Sequence, residues 1–216
     1  MKKKILIGFL LMLILAAVIG HLYREPLFEK AGRFMAPQSD DKADVVILEG
    51  ADYIRTGFIQ TGREMLSAGK VKKIIVVIHR IGTAHRPFGI NGDYPDFVRQ
   101  KLKGAGLKED QFKVIVAPIR HPVTLKEAQF VLKELAPDKI SSAVLVAPSF
   151  HTRRSYMAYS YAGKALHIRI YPLASFTDHS KEKWWTDQSA WREFATESAK
   201  LIYYLAGGHL PFKFSY

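Results

Sequence analysis

The segment Pro148-Ser149-Phe150-His151-Thr152-Arg153-Arg154 sets a hydroxyl, an imidazole and two guanidinium groups side by side. Histidine is the side chain whose ordinary pKa lies nearest neutrality, so His151 is a candidate to give or take a proton. Guanidinium groups hold oxyanions through paired N–H donors, which makes Arg153 and Arg154 candidate clamps for a phosphate or carboxylate. Ser149 can donate to the same anion or cap the helix that follows.

A second group lies upstream. Thr124-Leu125-Lys126-Glu127 has capping-box spacing, with Thr124 accepting from the backbone and Glu127 reaching back. The same side chains suit a ligand site, with Glu127 as a base or as the group that orients His151. Glu49-Gly50 closes the first apolar run, and Arg55 follows it closely. Arg55, Lys126, Arg153 and Arg154 all fall in expected first helical turns, where the helix dipole makes each cation cost about 0.3–1 kcal/mol. Four such placements at one edge point to an anion held jointly by side chains and backbone N–H groups.

His79, His85 and His121 read as solvent or interface groups, and no tight ligand spacing supports a metal site. The cofactor is left open. G-x-G-x-x-G, G-x-x-x-x-G-K-[ST] and G-x-S-x-G are all missing, which argues against an ordinary dehydrogenase, a P-loop NTPase and an α/β-hydrolase.

Five apolar runs must position these residues: Asp44–Leu48, Lys72–Ile78, Phe112–Val116, Ala143–Ala147 and His167–Tyr171. Runs rich in Val and Ile, without clean alternation, predict strands buried on both faces. Helical stretches separate them: Tyr53–Ala68, Tyr94–Ala105, Thr124–Leu135 and Thr152–Ala162. Gly69, Gly106 and Gly163 stand where C-caps belong. Trp184–Leu205 closes the fold with a stripe of Trp191, Phe194, Ala195, Ser198, Leu201, Ile202 and Leu205. Trp184 and Trp185 are assigned to the core. The alternation predicts an α/β fold: a Rossmann-like three-layer sandwich of about five parallel strands. Ligands of such sheets sit beyond the carboxyl ends of the strands, which is where the candidate residues fall.

The chain has 216 residues and no cysteine, which excludes disulfides, thiolate metal sites and a cysteine nucleophile. Its net charge is +12; Lys2, Lys3 and Lys4 supply three, leaving +9 on the remainder. That favours an anionic partner, but with no basic stripe and no recognisable module, nucleic acid is not expected. The three lysines precede the unbroken apolar run Ile5–Gly20, the pattern of an uncleaved export signal. Residues 1–23 are therefore expected to be a membrane anchor and 24–43 a tether, leaving 44–210 as the α/β domain. A single-pass protein of the plasma (inner) membrane follows, with its domain outside the cytoplasm.

Over roughly residues 43–205 the chain resembles the SanA/YdcF/ElyC-like bacterial envelope proteins. Val144–Ser155 (VLVAPSFHTRRS) looks like that family's strand, turn, histidine and arginine, which maps to His151 and Arg154. Thr124–Ala128 is similar to its Thr-x-x-(Asn/Glu)-Ala element, and Arg55 matches its first-loop arginine. Glu49 interrupts a glycine run usual in the family, and Ile78–Gly82 departs from its Ser-Gly-Gly turn. The resemblance implies a role in envelope biogenesis or barrier function and no established reaction.

The expected partner is a phosphorylated or anionic small molecule or lipid-linked intermediate. If the protein is an enzyme, it hydrolyses or transfers at that phosphate, with His151 and Glu127 catalytic. Glu49, Gly50, Arg55, Thr124, Ser149, Arg153 and Arg154 would bind. The rival expectation is a non-catalytic binding or scaffold protein that uses the same arginines.

Overall fold

β-Branched side chains suit a pleated strand packed on both faces, and the apolar runs form five. They are β1 (Val45–Glu49), β2 (Lys73–His79), β3 (Phe112–Ala117), β4 (Ser142–Pro148) and β5 (Arg169–Ser175). The computed structural model describes residues 12, 20, 23–50, 54–79, 94–177 and 179–212. All pairings are parallel, in the order β3-β2-β1-β4-β5. Ile47 lies beside Ile75 on one side and Leu145 on the other, and every residue of β1 is buried.

Among the described residues six α-helices accompany the sheet: α1 over 23–35, α2 (Thr56–Ser67), α3 (Tyr94–Gly104), α4 (Val123–Leu135), α5 (Thr152–Lys164) and α6 (Gln188–Ala206). One apolar layer joins α4, α5 and α6 to the sheet; the other joins α2 and α3. This is the expected Rossmann-like α/β architecture. The expected anchor over 1–23 lies almost wholly outside the described residues. Among the described residues no helix is long and apolar enough to cross a membrane.

Four local expectations need correction. The strand expected from His167 starts at Arg169, because His167 adopts a left-handed φ of 56° and belongs to the turn. Gly69 and Gly106 have the positive φ of helix-terminating residues, whereas Gly163 lies inside α5 without one. Its requirement is space: a Cβ there would stand 2.5 Å from the Ile168 carbonyl oxygen. Gly163→Ala should therefore destabilise the domain by about 1–3 kcal/mol in urea unfolding, as overpacking against backbone does. An unchanged midpoint would show that the α5–β5 turn relaxes freely.

The last helix begins at Gln188, after a short 3-10 turn over Trp184–Thr186. Asp187 caps it by accepting from the Ser189 and Ala190 N–H groups. Its buried face is Ala190, Glu197, Leu201 and Tyr204, with Phe194 packed alongside. Ile202 is 64% exposed and Trp191 also faces outward. The expected stripe is rotated because Glu197, a charged residue, occupies its centre.

Residues 24–43, expected as a tether, lie against the domain instead. Phe28 packs on Trp184, Trp185 and Trp191 at ring distances of 5.9, 5.7 and 5.4 Å. Trp184 Nε1–H donates to the Phe28 carbonyl at 3.2 Å. Beyond α1, Gln38 pairs with Leu173, and Ser39 N–H donates to the Pro172 carbonyl, fixing the segment along the free edge of β5. Aromatic burial outweighs the polar composition of this stretch. Trp184 is fully in the core, as expected, and Trp185 half so.

Candidate functional site

The chain runs outward through β1, β2 and β3 on one side and returns to β4 and β5 on the other. The carboxyl ends of β1 and β4 are therefore the topological switch point, where a crevice opens in doubly wound sheets. Glu49 ends β1. β4 ends at Pro148 and passes through the 3-10 turn Ser149–His151 into α5. Parallel pairing of β1 with β4 thus brings Glu49 to His151 across 102 residues of sequence.

His151 is held from both sides. Its Nε2 lies 3.2 Å from Glu49 Oε1 and its Nδ1 lies 3.0 Å from Glu197 Oε2. Ser155, one turn further along α5, donates to Glu49 Oε1 at 2.8 Å and lies 2.9 Å from His151 Nε2. Arg154 gives Nε–H and Nη2–H to Glu197 Oε2 at 3.0 and 2.8 Å and Nη1–H to the Thr124 hydroxyl. Its guanidinium also covers the Tyr204 ring at 5.3 Å. His151 keeps 19% of its side chain exposed, against 6–8% for Glu49, Arg154 and Glu197, so it is the member of this cluster that a solute meets.

A second cluster adjoins the first. His79, at the end of β2, places Nε2 2.6 Å from Glu127 Oε2, and Tyr159 donates to Glu127 Oε1 at 2.9 Å. Among the described residues, Glu49 Oε2 is the one buried side-chain oxygen that lacks a hydrogen-bond partner. An unmet buried acceptor costs about 1–3 kcal/mol, so it is a natural receiver for a donor on a bound molecule.

Charge follows from these contacts. Burial opposes ionisation of His151, yet Glu49 and Glu197 outweigh it and raise the imidazole from its ordinary 6.5 to about 9. Burial also opposes the charge on Glu49 and Glu197, but His151 and Arg154 hold both carboxyls below the usual range. Burial raises Glu127, and the neighbouring Glu49 charge adds to that against the His79 bond. Tyr159 is pushed well above the phenol range by burial and by the Glu127 and Glu49 charges. At neutral pH the cluster is two carboxylates, one imidazolium and one guanidinium. Of the two roles the sequence allows His151, giving or taking a proton, a raised pKa favours giving one.

These shifts fix the sign of a pH dependence. The raised His151 pKa contributes stability that is complete below about 6.5 and lost as pH rises through about 9. At 1.36 kcal/mol per unit this is about 3 kcal/mol. Glu127 adds in the same direction. The lowered Glu49 and Glu197 contribute above about 4.5 and lose their share on acidification. Urea midpoints should be highest near pH 5–6.5 and fall toward pH 9–10. A flat profile there would mean that the imidazolium is not held by its carboxylates.

The expected site residues are only partly brought together. Glu49, His151, Arg154 and Thr124 form one network, and Glu127 stands beside it. Gly50 N–H is spent on the Val77 carbonyl at 3.0 Å. Ser149 starts the 3-10 turn with φ 28°, its hydroxyl 3.5 Å from the Ser175 carbonyl, and caps no helix. The capping box is absent: α4 starts at Val123 behind Pro122, so Thr124 and Glu127 turn inward to Arg154 and to His79.

The four cations do not converge. Arg55 donates to the Thr177 hydroxyl at 2.7 Å; because β1 and β5 flank β4, that contact spans the end of β4. Arg153 donates to the Phe34 carbonyl at 2.6 Å and stacks on its ring, Lys126 meets Gln129, and Arg154 is buried on Glu197. His79, expected in solvent, is buried; His121 is exposed; His85 lies outside the described residues.

Ser155, Tyr159, Glu197 and His79 were not legible as site residues. A signal existed for three of them. His151, Ser155 and Tyr159 recur every four residues on one face of α5, and Glu197 falls in phase with Ala190, Leu201 and Tyr204. Among the described residues no group of three acidic or histidine side chains could hold a metal ion.

Fold and site together define a Rossmann-like α/β protein with a buried acid–base cluster at its switch point. No protein family, curated protein or solved structure matches the chain.

Proposed function

We propose that the protein is a membrane-anchored, extracytoplasmic enzyme of envelope biogenesis that hydrolyses or transfers at the phosphate of an anionic substrate. The observation that carries the reading is His151: an imidazolium locked between two carboxylates, part-exposed, at the start of α5. An imidazolium there supports general-acid catalysis, giving Nε2–H to the leaving oxygen while α5 offers its first backbone N–H groups to the phosphate. Glu197 and Arg154 position the ring. Glu49, held ionised by His151 and Ser155, keeps the imidazole charged, and the Glu127–His79 pair adjoins it. Arg55, at the rim over β4, supplies charge to the anion; Arg153 and Lys126 take no part. The envelope and the membrane enter through the resemblance and the apolar run Ile5–Gly20.

The rival reading is a non-catalytic binding or scaffold protein. In both readings Arg154, buried and donating to Glu197 and Thr124, is a strut and not an anion clamp, which leaves Arg55 to meet the anion. The experiment is turnover of a panel of phosphate monoesters, sugar nucleotides and short-chain polyprenyl phosphates by the full chain and by His151→Gln. Turnover lost with binding retained supports the enzyme. Binding without turnover in either protein makes it the scaffold.

A further inference from the structure

Behind the switch-point turn, a cavity of about 380 Å³ lies between α1 and the segment that follows β5. Its apolar wall is built from the half-buried rings of Phe176 and Trp185, backed by the buried Phe150 and Trp184. Its rim carries Arg33, Lys181 and Lys183 against Glu29 and Glu182. Arg33 is paired with Glu29 at 2.8 Å and Lys181 Nζ donates to Gln38 Oε1 at 2.6 Å, which leaves the rim with one net positive charge. Lys183 holds a left-handed φ of 49° at the lip. Aromatic depth and a cationic rim are complementary to an amphiphile with an anionic head.

Two features place such a molecule here. One wall is α1, the segment that in sequence follows the apolar run Ile5–Gly20. Phe150, buried behind that wall, also precedes His151 on the same 3-10 turn, so the cavity backs onto the element that carries the imidazole.

We infer that this cavity binds a phosphate-bearing lipid, its apolar chain against Phe176 and Trp185 and its phosphate at Lys181 and Lys183. The inference goes beyond the proposed function: this phosphate sits at the cavity rim and not at His151, so the lipid is a second ligand, and only its place in an envelope rests on that reading.

The test uses the full chain in phosphatidylcholine nanodiscs. Trp184, Trp185 and Trp191 are the chain's three tryptophans, and all lie in or beside the cavity, so intrinsic emission reports its occupancy. Dihexanoyl phosphatidic acid should shift the emission saturably, whereas dihexanoylglycerol and inorganic phosphate should not. Reversing both rim lysines, Lys181→Glu with Lys183→Glu, should weaken the response about tenfold or more. Ala36→Leu, which narrows the cavity without altering charge, should abolish it.

An equal shift with dihexanoylglycerol would overturn the inference by showing an apolar filler only. An equal shift with phosphate alone would show a small-anion site and overturn it as well. No shift at all does the same. His151→Gln should respond as wild type, so a failed cavity and a failed acid–base site give different results.

Discussion

Glu197→Ala is expected to cost the folded state about 3–5 kcal/mol, because it leaves a buried guanidinium without its counter-charge. Arg154 is 7% exposed, and Glu197 Oε2 receives two of its N–H groups and also faces His151 Nδ1. Nη2 of Arg154 stands only 2.8 Å from that nitrogen. Two cationic groups approach so closely only because one carboxylate oxygen serves both; remove it and they repel across a low-dielectric site. Lys200, half exposed and 2.8 Å from Glu197 Oε1, adds little to this. A small domain has about 5–15 kcal/mol in total, so the variant should lie near its unfolding threshold at 37 °C.

Charge pairing and charge stranding are separable by a double substitution. Glu197→Leu with Arg154→Met removes both ions, and a buried ion pair exchanged for apolar groups of similar volume is commonly near neutral. Urea unfolding should therefore place the double variant well above either single one. If Glu197→Ala costs under about 1 kcal/mol, the carboxylate does not hold Arg154 and the acid–base cluster loses its frame.

The same residues show why sequence reading reaches the sheet more easily than the site. KKIIVVI and AVLVA identify strands because burial on both faces needs nothing but apolar side chains. The switch-point loops were located for the same reason, and with them Glu49 and His151. What a side chain does at the end of a strand depends on partners distant in sequence. Arg154 looked like an anion clamp until Glu197, 43 residues later, arrived on the buried face of α6 to neutralise it. Thr124 and Glu127 match a local capping pattern, but α4 begins one residue early and both face the interior. Cations in the first helical turns suggested a shared ligand; each had found its own partner in Thr177, Phe34, Gln129 or Glu197.

His151→Gln should lower stability by about 3 kcal/mol, since it takes the cation from between two buried carboxylates. It should also lower the turnover of the folded protein by about 10²–10⁴, the usual loss when a positioned proton donor is removed. Glutamine can donate its amide N–H to one of the two carboxylates but has no ionisable proton to give. The pH profile separates this from a structural role. With the imidazole at about 9, a general acid is fully protonated at neutral pH, and the rate should fall only on the alkaline side, above about 9. Glu49→Gln takes away the carboxylate that most strongly supports that charge, so the alkaline limb should move toward lower pH while His151→Gln shows no limb. An acid limb near 6.5 would instead make His151 a neutral base. A limb that Glu49→Gln leaves in place would assign the titration to another group. Direction matters more than size here, since a strut that merely held α5 would lower the rate at every pH alike.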